Sequence, residues 1–139
     1  MHSSVGSRLP DQIVTLPEIL RKKNYQTTAI SSNPWVSPAF GFDQGFDDFL
    51  FFDHAQAEKI VRGAKKSVDK FTTDSKRPFF LYMHFMDPHT PYRPIGEYET
   101  MFQGKLKSRE YEPKMMERMN LYDGEIRYTD FHIGDFFEH

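Results

Sequence analysis

The sequence predicts an α/β fold with mostly parallel strands, and three observations carry that expectation. Helical and strand patterns alternate along the chain, as in parallel α/β units. The run Phe79-Phe80-Leu81-Tyr82-Met83-His84-Phe85-Met86 is almost continuously apolar and aromatic, the pattern of a strand covered on both faces in a parallel sheet. A third signal is a long periodic stretch after Pro113 that steps by three and four residues, which is helical spacing.

The elements follow in order. Residues 1–14, with Gly6 and Pro10, read as loop. Thr15-Leu16-Pro17-Glu18 opens a helix: Thr15 can cap it, Pro17 fits the first turn, and Glu18 lies three residues on to complete a capping box. That helix should run from Leu16 to about Lys23 and end at Asn24, a residue that tolerates the left-handed conformation. Gln26-Thr27-Thr28-Ala29-Ile30-Ser31 is rich in β-branched residues and predicts a strand. From Asn33 to Asp53 the periodicity fails among Pro34, Pro38, Gly41, Gly45 and seven large aromatic rings, which predicts a long loop held down by aromatic burial. A second helix is predicted over His54 to Thr72, with Ala57, Ile60, Val61, Ala64, Val68 and Phe71 on one face. Lys59, Arg62, Lys65, Lys66 and Lys70 occupy the other face, read as a solvated surface because Glu58 and Asp69 interrupt the charge. Two prolines then stop the apolar strand at Asp87-Pro88-His89-Thr90-Pro91-Tyr92. Residues 93–112 form a polar, irregular connection, and the last helix carries Met115, Met119, Tyr122, Ile126, Thr129, Ile133 and Phe137 in register. With only two clear strands and a helix running to the last residue, the chain is expected to be an incomplete domain.

Composition narrows the function. A chain of 139 residues with 38% hydrophobic content can bury one domain-sized core. Lys plus Arg number 18 against 20 Asp plus Glu, a net charge of -2 without a block of one sign, so neither nucleic acid nor an anionic membrane surface is indicated as a partner. The mean hydropathy of -0.66 and the lack of any apolar run near the roughly 20 residues of a membrane span predict no membrane segment. There is no Cys, which removes disulfides, thiolate metal sites and a cysteine nucleophile. Met1-His2-Ser3-Ser4 lacks the basic and apolar regions of a signal peptide.

In parallel α/β sheets ligands bind beyond the carboxyl ends of the strands, where the Asp87–Tyr92 loop is expected. His89, flanked by prolines, can present a ring nitrogen to an anionic oxygen as donor or general acid; the competing reading is a strand-ending turn. His84 is expected to be a satisfied core histidine, His54 to lie near a helix start, and His132 and His139 on the last helix. Of the carboxylates Asp123, Glu125 and Asp130 on that helix, Asp123 and Asp130 share a face, where solvation or salt-bridging is the expected role and metal binding the alternative. Ser4-Val5-Gly6-Ser7-Arg8 lacks a nearby base and reads as loop.

Four blocks carry a family resemblance. Thr15 to Thr27 resembles the sulfatase segment TLxExLxxxGYxT, and Gly45-Phe46-Asp47 its GFD. Arg77 to Tyr92 is similar to PFFLYxHxxDPHxPY, and Leu121 to Asp130 with Ile133-Gly134 to YDGEIxYxDxxIG. The blocks stand in family order across nearly the whole chain. The resemblance implies a partial alkaline-phosphatase-like sandwich, with residues 1–139 the central part of a single catalytic domain that hydrolyses sulfate esters. It implies that His89 is the catalytic, substrate-binding histidine of the DPH-type loop and that the helix bearing Asp123 and Asp130 is a structural signature. Small sulfate esters or sulfated glycans are the implied substrates. A calcium or other divalent ion is the implied cofactor, a formylglycine the implied nucleophile, and a periplasmic, secreted or lysosomal setting the implied location. Neighbouring families with the same blocks act on phosphodiesters or phosphonates or transfer phosphoethanolamine, and a non-catalytic glycan-binding relative is a further alternative.

The departures are specific. No C/S-x-P-x-R nucleophile motif is present, nor the amino-terminal Asp pair that binds metal in the family, nor the later Asp-His-Gly segment. His2 resembles the His of an HGV-like stretch, and Asn24 replaces the usual Gly. No residue of this sequence is therefore assigned to a metal. Residues 1–139 alone are expected to show no turnover, no tight metal site and poor solubility.

Overall fold

A computed structural model describes residues 8–74, 76–105 and 111–139. The chain folds as two compact units divided between Phe85 and Met86. Ser4, Ser7 and His2 lie outside the described residues.

The first unit is built on a three-stranded parallel sheet of order β2-β1-β3. Helix α1 spans Leu16–Lys22 and starts with the expected capping box: Thr15 Oγ1 accepts the Glu18 N–H while the Glu18 carboxylate accepts the Thr15 N–H at 2.8 Å. Both bonds satisfy amides that a helix start leaves without partners. The Thr15 N–H, helped by the Thr15 hydroxyl and the Gln44 amide, holds the Glu18 carboxyl below its ordinary range. Asn24 takes the left-handed conformation, φ 67°, and ends the helix as anticipated.

Strand β1, Gln26–Ser31, has the predicted bounds and lies at the centre of the sheet. Its neighbours on both sides explain why Thr27 through Ser31 are buried. Strand β2, Asp48–Phe51, was not anticipated, because it falls within the aromatic run read as loop. It is four residues long and pairs with β1 from Thr28↔Asp48 to Ser31↔Phe51. The Asp47 carboxylate sets its start by accepting from the Thr27 N–H at 3.0 Å and from the Thr27 hydroxyl. Such a short edge strand owes its existence to this pairing rather than to a local pattern.

Helix α2 runs Ala57–Asp74, three residues later at its start than expected. His54 has φ 49°, and a left-handed residue cannot continue into a right-handed helix. The predicted face is the buried one: Ala57, Ile60, Val61, Ala64 and Phe71 are all under 5% exposed. Gly63 lies against Ile30 of β1, and the Phe71 ring stacks on Phe79 at 5.0 Å. The basic face is solvated, with Lys70 paired to Asp48 at 3.1 Å and Lys59 over the Phe52 ring.

Strand β3, Phe79–His84, is shorter than the apolar run and is not covered on both faces: Phe79 is 43% and Tyr82 36% exposed. It is an edge strand, paired only with β1 among the described residues. Its side chains Phe80 and Tyr82 join Phe46 and Phe49 in an apolar groove that also reaches Leu16 and Val36.

The second unit comprises the loop after β3, a 3₁₀ turn at Gly96–Glu99, and helix α3, Pro113–Phe137. The length of α3 matches the sequence pattern, but of the predicted apolar stripe only Thr129 is buried. Met115, Tyr122, Ile126 and Phe137 are exposed, while Asn120, Gly124, Glu125, Tyr128 and Thr129 are buried. Among the described residues no helix is long and apolar enough to cross a membrane.

Candidate functional site

The loop from Asp87 to Pro94 begins three residues beyond the end of β3, and prolines at 88, 91 and 94 shape it. Each proline fixes φ and removes an N–H, so the stretch has few backbone donors with which to hold itself. Side chains on α3 supply the anchorage. The Tyr92 and Tyr122 rings meet edge-to-face at 5.4 Å. One residue on, the Arg93 N–H donates to Glu125 Oε1. Gly124 then lies directly against the Tyr98 carbonyl and the Pro94 ring, too close for any side chain. Tyr98 closes the series by packing edge-on against Tyr128 at 5.5 Å.

His89 is exposed on this loop, and its Nδ1 lies 2.7 Å from the Thr90 carbonyl oxygen. A carbonyl only accepts, so Nδ1 carries a proton and Nε2 is the nitrogen left to address a ligand. The neutral ring offers a lone pair at Nε2; the imidazolium offers an N–H there. Either form can address an oxygen-rich group, and the protonated form addresses an anion.

Glu125 is the residue the sequence reading passed over. The sequence places it among the helix carboxylates, with nothing to set it apart from Asp123 and Asp130. In the structure Glu125 is 3% exposed. Burial pushes its carboxyl above the ordinary 4.5; the Arg93 N–H and His89 oppose that shift, and Asp87 reinforces it. The sequence signal is faint: Asn120, Gly124 and Tyr128 recur every four residues off the apolar stripe, with Glu125 beside them.

The other candidates are distributed elsewhere. Asp130 is exposed and bridges Arg127 at 2.8 Å, the salt-bridged role expected of it. His84 is half-buried at the end of β3, but its Nδ1 has no hydrogen-bond partner among the described residues, so it is not the satisfied core histidine expected. His54 lies just before α2 with Nδ1 2.6 Å from Asp53 Oδ1. His132 packs edge-on against Tyr128 at 4.6 Å. Arg8, at the end of the Ser4–Arg8 stretch, donates to the Pro38 carbonyl at 3.1 Å. Among the described residues no group of three or more His, Asp or Glu is placed to hold a metal ion. These residues do not fit the calcium site that the resemblance implies.

Comparison with known proteins agrees with the fold. The C-terminal periplasmic domain of EcEptC from Escherichia coli, solved as a complex with Zn, superposes with a TM-score of 0.71 at 14% identity, over 90% of this chain and 38% of that one. Ps i-CgsB in complex with k-i-k-neocarrahexaose gives 0.66 at 22% identity, over 96% and 38%. A protein in the alkaline phosphatase superfamily from Vibrio parahaemolyticus gives 0.59 at 22%, over 90% and 31%. The chain thus spans under two-fifths of the length of these structures. No curated protein matches the sequence. The α/β architecture with its parallel sheet is alkaline-phosphatase-like. The family model described as Sulfatase matches residues 1–139, and the chain belongs to the sulfatase family.

Proposed function

We propose that residues 1–139 form the central part of a single sulfatase-type catalytic domain, in which His89 binds a sulfuryl oxygen of a sulfate ester. The observation that carries this reading is the bond between His89 Nδ1 and the Thr90 carbonyl. It fixes the tautomer and commits Nε2 to the ligand. When the S–O ester bond breaks, negative charge grows on the departing and peripheral oxygens. A protonated Nε2 donates a hydrogen bond to that charge, and a fixed donor does so without reorganising. The nucleophile and the divalent metal, expected to be calcium, come from residues other than these. The substrate class is a sulfated small molecule or glycan; the carbohydrate complex of the similar Ps i-CgsB supports the glycan. The periplasmic domain among the similar structures supports a periplasmic or secreted setting.

The test uses the protein expressed from its complete open reading frame, assayed on an aryl sulfate and on an aryl phosphodiester. Hydrolysis of the sulfate is expected, with His89→Ala lowering kcat by roughly 10²–10³-fold, the usual loss for one oxyanion donor. An unchanged rate in His89→Ala would remove His89 from the site. Turnover of the phosphodiester alone would move the protein to the phosphoryl-transfer branch.

A further inference from the structure

We propose that Glu125 is a positioning residue for the His89 loop, its buried carboxylate gripping the Arg93 N–H so that the loop holds the histidine at a fixed place. The proposal rests on the reading of His89 given above and adds a residue to which neither the sequence resemblance nor the comparisons assign a role.

Three observations converge. First, Glu125 is 3% exposed, and its Oε2 has no hydrogen-bond partner among the described residues. A buried carboxylate with half its acceptors unused is costly, so packing alone would favour an apolar side chain at this position. Second, its other oxygen accepts from Arg93, four residues after His89. Pro88, Pro91 and Pro94 contribute no N–H, which leaves Arg93 as one of the few donors by which this backbone can be held. Third, the contacts on either side bring the same two elements together: Tyr92 against Tyr122, and Pro94 and Tyr98 against Gly124. A glycine followed by a glutamate thus lets α3 approach the loop closely and then seize one amide. The carboxyl also senses Asp87 and His89 electrostatically, which places it within influence of both residues. Glu125 does not touch substrate in this arrangement; it acts through the backbone.

The experiment compares Glu125→Gln, Glu125→Asp and Glu125→Leu in the protein from the complete reading frame. Two readouts are used: hydrogen exchange at the Arg93 amide, and kcat/KM on an aryl sulfate. Leu removes the acceptor, and Asp keeps the charge but is one methylene too short to reach. Both should speed Arg93 exchange at least tenfold and lower kcat/KM by roughly 10–100-fold. Gln retains an acceptor oxygen at full reach and should recover most of both losses. In a His89→Ala background Glu125→Leu should cost little further activity, because the two residues then act as one unit; an independent structural role would add in full. The proposal is overturned by unchanged Arg93 exchange in Leu and Asp, by Asp behaving as wild type, by Gln failing like Leu, or by full additivity with His89→Ala. Arg93 exchange is read without substrate, so a protein that leaves sulfate esters untouched would sink the functional reading while exchange still decides the role of Glu125.

Discussion

Gly124→Ala sets two known magnitudes against each other. In an exposed helix interior the change would stabilise by about 1 kcal/mol, the helix-propensity gap between glycine and alanine. Here the new Cβ would drive into the Tyr98 carbonyl oxygen and stand 3.1 Å from Pro94 Cβ. The obstacle is backbone and a proline ring rather than the far end of a flexible side chain, so α3 or the 94–98 segment must move. Overpacking of this kind costs about 1–3 kcal/mol. A shift that lengthens the neighbouring Arg93–Glu125 bond removes a hydrogen bond to a charged group, worth about 1.5–3 kcal/mol. Even after the propensity gain the net is a loss of about 1.5–5 kcal/mol, combining these ranges. Hydrogen exchange of peptides covering 92–98 and 120–129 measures it locally, and at 1.4 kcal/mol per decade that loss means roughly 10- to 4,000-fold faster exchange. Peptides in the first unit should be unaffected. Exchange equal to or slower than wild type would refute the close approach between α3 and the loop, and with it the support drawn for Glu125.

Two further outcomes are expected. Gly45→Ala should destabilise by roughly 2–4 kcal/mol, because φ is +87° and the new Cβ would lie 2.5 Å from the Glu18 amide nitrogen, inside the α1 capping box; a thermal melt within a degree of wild type would contradict this. The second unit should lose stability as pH rises. Burial raises the folded-state value for Glu125 above the ordinary 4.5, so the fold favours the neutral acid. That contribution is fully present below about 4.5 and is lost as pH climbs through the raised value. Glu125→Gln cannot ionise and should flatten this dependence, as seen by urea midpoints across pH; a constant difference between the two proteins would show that the carboxyl does not titrate abnormally.

Sequence alone determined the features that rest on a few adjacent residues. The capping box at Thr15 and Glu18, the left-handed Asn24, the bounds of β1 and the extent of α3 all follow from local hydrogen bonding and dihedral preference. The order of the family blocks was legible too, and it singled out His89. Tertiary structure decided what depends on a distant partner. Strand β2 exists because β1 pairs with it and Asp47 reaches back to Thr27; nothing within Asp48–Phe51 distinguishes it from the aromatic loop around it. The buried side of α3 was likewise set by its neighbour. Periodicity revealed an apolar stripe, yet the 94–98 segment packs on the opposite, glycine-bearing side. Burial of Glu125 follows from that choice. A carboxylate on a helix carries no mark of its surroundings in the sequence, and only the approach of the proline-rich loop and its Arg93 amide gives it a partner.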